Sequence, residues 1–168
     1  MRTNKMLHAM KVSELQEHFI TELMTILPEW KFVKSQRLFK KKHGDLIWYL
    51  YISCINHDSD FDAVGNVAVE YLSGKERICI VGAELGNIEG CGQTRFPVSS
   101  LNEAIDSAHA LFKFFEEIGL PFLTKYSQPK EVVSVLRSGG KSAMLISPLI
   151  NQHETQIKNL CQKYGIGM

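Results

Sequence analysis

The sequence lacks most of the features that announce a specialised chemistry. Its four cysteines, Cys54, Cys79, Cys91 and Cys161, form no Cys-x-x-Cys pair, which excludes the compact zinc and redox motifs built on that spacing. The six histidines, at 8, 18, 43, 57, 109 and 153, include no His-x-x-x-His or His-Glu-x-x-His pattern, so no metal is assigned. Charge of one sign is also missing: the formal net charge is +1, and nucleic acid or an acidic membrane would need a local patch to attract this chain. The longest apolar run, Leu46 to Ile55, is ten residues with a serine inside it, about half of a membrane-spanning helix. The first fifteen residues, MRTNKMLHAMKVSEL, lack the apolar core and cleavage site of a secretory signal. The expectation is a cytoplasmic protein with reduced thiols, no membrane association and no cofactor.

What is present is a globular composition, 45% apolar and 22% charged over 168 residues. A chain of this length buries roughly 70% of its unfolded surface and needs no disulfide or metal to hold itself together. One domain over residues 1–168 is expected, with 1–10 as a frayed lead-in. Ser13-Glu-Leu-Gln16 has the form of a capping box. Val12, Leu15, Phe19, Leu23 and Leu27 recur at helical spacing until Pro28 stops the helix. From Trp30 to Ala83 the pattern changes to strands, at 31–35, 37–40, 45–56, 64–72 and 77–83. A turn at Lys41–Asp45 and a loop at 57–62 lie between them. Such short connections require antiparallel pairing. Within 45–56 the even positions Leu46, Trp48, Leu50, Ile52 and Cys54 are wholly apolar and should meet helices. The odd positions Ile47, Tyr49, Tyr51, Ser53 and Ile55 suit a partly covered face.

Residues 86–97, with Gly86, Gly90, Gly92, Asn87 and Pro97, read as a flexible loop. Ser100 to Glu103 is a second capping box, opening a helix whose stripe is Leu101, Ile105, Ala108, Phe112, Phe115 and Ile118. In the corner EIGLPFLTKYS (117–127), Gly119 suits a left-handed helix cap and Pro121 forbids continuation. A short helix from Pro129 ends at Gly139-Gly140, and a last one opens at Ser147-Pro148 and stops at Gly165.

Two motifs fall short of chemistry. Gly139-Gly-Lys-Ser142 invites a phosphate-loop reading, but Val135 stands where the first glycine is needed and the stretch follows a helix. Asp58, Asp60 and Asp62 alternate as in a calcium loop, yet its sixth position is Ala63 and its twelfth Val69. Cys91, flanked by glycines, is a sterically open thiol with Arg95 as its nearby cation. The strongest local signal is basic: Lys31, Lys34, Arg37, Lys40, Lys41 and Lys42 fall within twelve residues, interleaved with Trp30, Phe32 and Phe39. Such a tract serves a charged protein partner, a nucleic acid, or a solvated sheet edge. Tyr49, Tyr51 and Tyr71 form a second recognition candidate, tyrosine giving contact area at low entropic cost.

Phe32, Phe39-Lys40-Lys41, Gly119-Leu-Pro121-Phe122 and the terminal helix from Ser147 occur in an order that resembles a bacterial family of unknown function, over about Val12 to Tyr164. The resemblance implies a small cytoplasmic immunity-type or accessory protein acting through a partner, and it brings no catalytic residue.

The reading is thus an α+β domain: an N-terminal helix, an antiparallel sheet of four or five strands, and three C-terminal helices packed on one face. Its expected function is non-enzymatic binding of a protein partner through Arg37, Lys40, Lys41, Lys42, Tyr49, Tyr51 and Tyr71, with nucleic acid a lesser candidate. The competing reading is a small-ligand-binding protein or small enzyme using the loop 86–97 with Cys91 and Arg95.

Overall fold

Period-two alternation sorts this chain into a sheet with two unlike faces. The computed structural model describes residues 9–167, so most of the expected lead-in lies outside the described residues. After helix α1 (Val12–Ile26) come strands β1 (Lys31–Val33), β2 (Leu38–His43), β3 (Leu46–Asn56), β4 (Phe61–Ser73) and β5 (Glu76–Glu84). They form an antiparallel meander in the order β1-β2-β3-β4-β5, and β6 (Phe96–Val98) pairs with the start of β4. The turn expected at 41–45 shrinks to Gly44–Asp45, because Lys41, Lys42 and His43 continue β2 opposite Trp48, Ile47 and Leu46.

On one face Phe39, Leu50, Ile52, Val67, Val69, Tyr71 and Val81 join Leu15, Phe19 and Leu23 of α1 in the main apolar core. The even positions of β3 therefore meet helices, as the alternation requires. On the reverse face lies a smaller cluster: Leu38, Tyr49 and Ala68, flanked by Val33, Ile47, Tyr51 and Ile80. Every member of it belongs to a strand.

The helices after the sheet are α2 (Leu85–Glu89), α3 (Leu101–Phe114), α4 (Leu120–Tyr126), α5 (Pro129–Ser138), α6 (Gly140–Ile146) and α7 (His153–Tyr164). Ser100 caps α3 by accepting from the Glu103 N–H at 3.1 Å, but the reciprocal Glu103 carboxylate takes the N–H of Ser99. The buried side of α3 is Ala104, Ser107, Ala108 and Leu111, which leaves Leu101 and Ile105 exposed, one step off the expected stripe. The first capping box does not form: α1 starts at Val12, and Gln16 is drawn into tertiary bonds with Asn56 and Arg37.

The corner at 117–127 is also not the expected cap. Gly119 has φ −72°, and the helix runs on from α3 through a π-helical turn, Phe115–Gly119, into α4, with Pro121 in its first turn. Glycine is needed here for space: a Cβ would lie 2.7 Å from Phe115 Cδ2 and 3.0 Å from Leu85 Cδ2. Phe122, Leu123 and Tyr126 are buried and pin the segment to the core. Downstream, α5 stops at the positive-φ pair Gly139 and Gly140, and α7 stops at Gly165 with φ 64°. Ser147-Pro148 forms an extended corner and a short 3-10 turn before α7, which opens only at His153. From there α7 runs beside β5: Gln156 and Asn159 donate to the carbonyls of Ile80 and Ile78 at 3.3 and 2.9 Å. Among the described residues no helix is long and apolar enough to cross a membrane.

Candidate functional site

Cross-strand register decides which of the expected site residues share a surface. Lys31 stands opposite Lys40, Lys40 opposite Tyr49, Lys42 opposite Ile47, and Leu38 opposite Tyr51. Residues directly opposite in a ladder project to the same side, so Lys31, Lys40, Lys42, Tyr49 and Tyr51 all belong to the reverse face. Lys41 projects to the helical face, where its Nζ meets Glu29 at 3.0 Å. Arg37, in left-handed backbone with φ 48°, turns its guanidinium to the Gln16 side chain at 2.9 Å. Tyr71 is a correction: it lies opposite Leu46 on the core side and is 0% exposed, so it cannot serve a recognition surface.

The polar centre of the reverse face is a carboxylate that the tyrosine and lysine pattern did not reveal. Glu70, buried in an otherwise apolar stretch of β4, accepts from the Tyr49 hydroxyl at 2.9 Å and pairs with Arg77. Its signal was available in the sequence as a lone charge inside VAVEYL, which is costly to bury unless paired. Burial, and after it the hydrogen bond and charge of Glu70, push the Tyr49 hydroxyl up to about 12 from its usual 10.0. Burial raises Tyr51 as well, against the lowering influence of Arg77. A group whose proton is held more tightly in the folded state contributes its full stability below the ordinary tyrosine value. That contribution is lost as pH climbs through the folded value. Urea midpoints of the parent protein should therefore fall between pH 10 and about 12, and Tyr49→Phe should flatten that fall. An unchanged slope in the variant would remove Tyr49 from the titration.

Beside this face, toward β5, opens a groove of about 580 Å³. Tyr51, Asn66, Ala68, Ile80 and Gly82 line the sheet side, and Asn87, Met144, Leu145, Pro148, Leu149, Gln152 and Gln156 line the other. Leu149 and the adjoining Ile150 are 58% and 71% exposed, the most open large apolar side chains among the described residues. The one ionisable side chain in the groove besides Tyr51, Glu84, is already occupied. Its carboxylate accepts from the main-chain N–H groups of Gly86, Asn87 and Thr94 at 2.9, 2.8 and 3.0 Å. The stretch 86–97 is accordingly fixed by Glu84, α2 and β6, not a flexible loop as expected. Gly86 lies so close under the chain that a Cβ would overlap the Gly92 carbonyl.

Cys91 is exposed, and Arg95 reaches Gln93 and Asp62, the latter at 3.6 Å. Neither lines the groove, and neither lines a second cleft of about 340 Å³ on the helical side. That cleft holds Trp30, Trp48, Phe112, Phe115 and Leu120, with the Lys41–Glu29 pair at its mouth. The Trp30 and Trp48 rings stand 6.4 Å apart, and the Trp48 N–H donates to the Ser127 hydroxyl at 2.7 Å. Among the described residues no group of three or more histidine, cysteine, aspartate or glutamate side chains is placed to hold a metal.

The chain matches no family model, no curated protein and no solved structure.

Proposed function

We propose that this chain is a non-enzymatic binding protein that meets a protein partner across the reverse face of its sheet. The observation that supports this reading is the second apolar cluster. Leu38, Tyr49 and Ala68, with Val33, Ile47, Tyr51 and Ile80, form a cluster drawn from strands alone, which α6 and α7 face across the groove on its β5 side. A sheet face with such a cluster, rimmed by the exposed apolar residues Met144, Leu149 and Ile150, has the mixed apolar and tyrosine character of an interaction surface.

Charge complements it. Lys31 and Lys40 are directly opposite, and like charges so placed are unfavourable. Among the described residues no carboxylate lies within 4.0 Å of Lys31, Lys40 or Lys42. A partner bearing acidic residues at this end would relieve that repulsion and gain in encounter rate. An immunity-type or accessory role in the cytoplasm, as the family resemblance implies, is compatible with such a surface.

The double substitution Lys40→Glu with Lys42→Glu should weaken capture of the partner about fivefold or more, close to 1 kcal/mol, with an unchanged circular dichroism spectrum. Lys41→Glu, on the opposite face, should leave capture intact and act only through the loss of its surface pair with Glu29. Equal effects of the two changes on affinity capture would refute the assignment to this face.

A further inference from the structure

A sheet edge presents unpaired main-chain donors and acceptors, and proteins guard such edges. The β1 edge here is short, three residues, and begins with Lys31. The β5 edge is guarded at Ile78 and Ile80 by the amide side chains of Asn159 and Gln156. Those bonds show that the Ile80 carbonyl points away from β4. In an antiparallel ladder every second residue points the same way. Gly82, opposite Ala68 as Ile80 is opposite Glu70, therefore turns its N–H and C=O outward too. Beyond the ladder to β4, no hydrogen bond engages these two Gly82 groups or the Ile80 N–H among the described residues. This bare stretch lines the 580 Å³ groove. The backbone that comes close to Gly82 is that of β4, whose Val67 carbonyl a Cβ would overlap, and the missing side chain leaves the groove unobstructed at this point.

We propose that the groove receives an extended, uncharged segment of the partner protein, which adds to β5 as a strand against Ile80–Gly82. The inference rests on the reading of this side of the molecule as a partner surface. The lining contains no lysine or arginine, and its single carboxylate, Glu84, is already engaged by three main-chain N–H groups, so the lining offers no free partner to an inserted charge. The side chains of Asn87 and Gln152 make no hydrogen bond among the described residues. Each offers both a donor and an acceptor, which matches the outer main-chain edge of an added strand. Met144 and Leu149 provide apolar contact for its alternate side chains, as in other strand-addition complexes.

The test selects phage-displayed random linear dodecapeptides on the full-length protein and resynthesises an enriched sequence as free peptide. We expect amide hydrogen exchange at Ile80 and Gly82 to slow at least tenfold on binding. Affinity should fall at least tenfold with Leu149→Asp or Gln152→Ala, and with N-methylation at alternate peptide positions. Lys40→Glu with Lys42→Glu should leave this uncharged peptide bound, so a failure of the lysine rim is read separately from a failure of the groove. Strand addition is overturned if no peptide is enriched, if the two amides keep their exchange rates, or if N-methylation is harmless throughout. A dimer that light scattering shows to dissociate with Leu149→Asp would also overturn it, by making a second copy the occupant.

Discussion

Tyr71→Ala should lower the unfolding free energy by about 3–5 kcal/mol, the range for deleting a buried aromatic ring. The ring is fully enclosed on the core side of β4, and its edge meets Tyr164 of α7 at 5.9 Å and 81°. Its hydroxyl donates to the main-chain carbonyl of Tyr126, the last residue of α4. One side chain thus ties the sheet to two helices that arrive from far along the chain. Alanine would open a cavity among them and leave the Tyr126 carbonyl without its donor. Tyr71→Phe keeps the ring and separates the two terms, with an expected loss of about 1–2 kcal/mol for the hydrogen bond and the orphaned acceptor. Urea unfolding followed by circular dichroism measures both. A loss below about 1 kcal/mol for alanine would show that the site collapses around the gap.

Glu84→Ala comes next in expected size. Its carboxylate holds three main-chain donors at once, in Gly86, Asn87 and Thr94, and hydrogen bonds to a charged group are worth more than neutral ones. Gly86 is buried, so its N–H has no easy recourse to water. The expected loss is about 3 kcal/mol, one buried donor orphaned and two others returned to solvent. Glu84→Gln should fall between the two. One glutamine oxygen can still serve Gly86 and Thr94, while the new amide hydrogens oppose the Asn87 N–H. Hydrogen exchange at residues 86, 87 and 94 should accelerate in both variants, most in alanine. Because Asn87 lines the groove, the same change should loosen one groove wall. Retention of parent exchange rates at these three amides would show that Glu84 does not fix the segment.

The two-sided character of β3 was legible because strict alternation survives in LIWYLYISC. The face on which Tyr71 falls was not. β4 is apolar on both sides around Ala63, Val64, Val67, Ala68 and Val69, and only its register against β3, with Tyr71 opposite Leu46, fixes the side. The same limit split the basic tract. Six cations within twelve residues read as one patch, but a period of two sends Lys41 to the opposite side from Lys40 and Lys42. Local signals were read correctly where local geometry rules, as at Ser100, Gly139 and Gly165. They misled where a distant residue competes. Gln16 left its capping role for Asn56, forty positions away, and Gly119 answers to the Phe115 and Leu85 side chains, not to a left-handed turn. The groove has no sequence signature at all, since its walls come from residues 51, 66–68, 80–87 and 144–156.

Trp30 and Trp48, the chain's only two indoles, share one cleft on the helical flank. The protein's ultraviolet emission is therefore a local gauge, sensitive to loosening of α1, α3 or α4 and blind to an occupant seated on the other flank. Guests there would announce themselves instead through the near-ultraviolet dichroism of the Tyr49–Tyr51 pair, whose rings lie 5.4 Å apart.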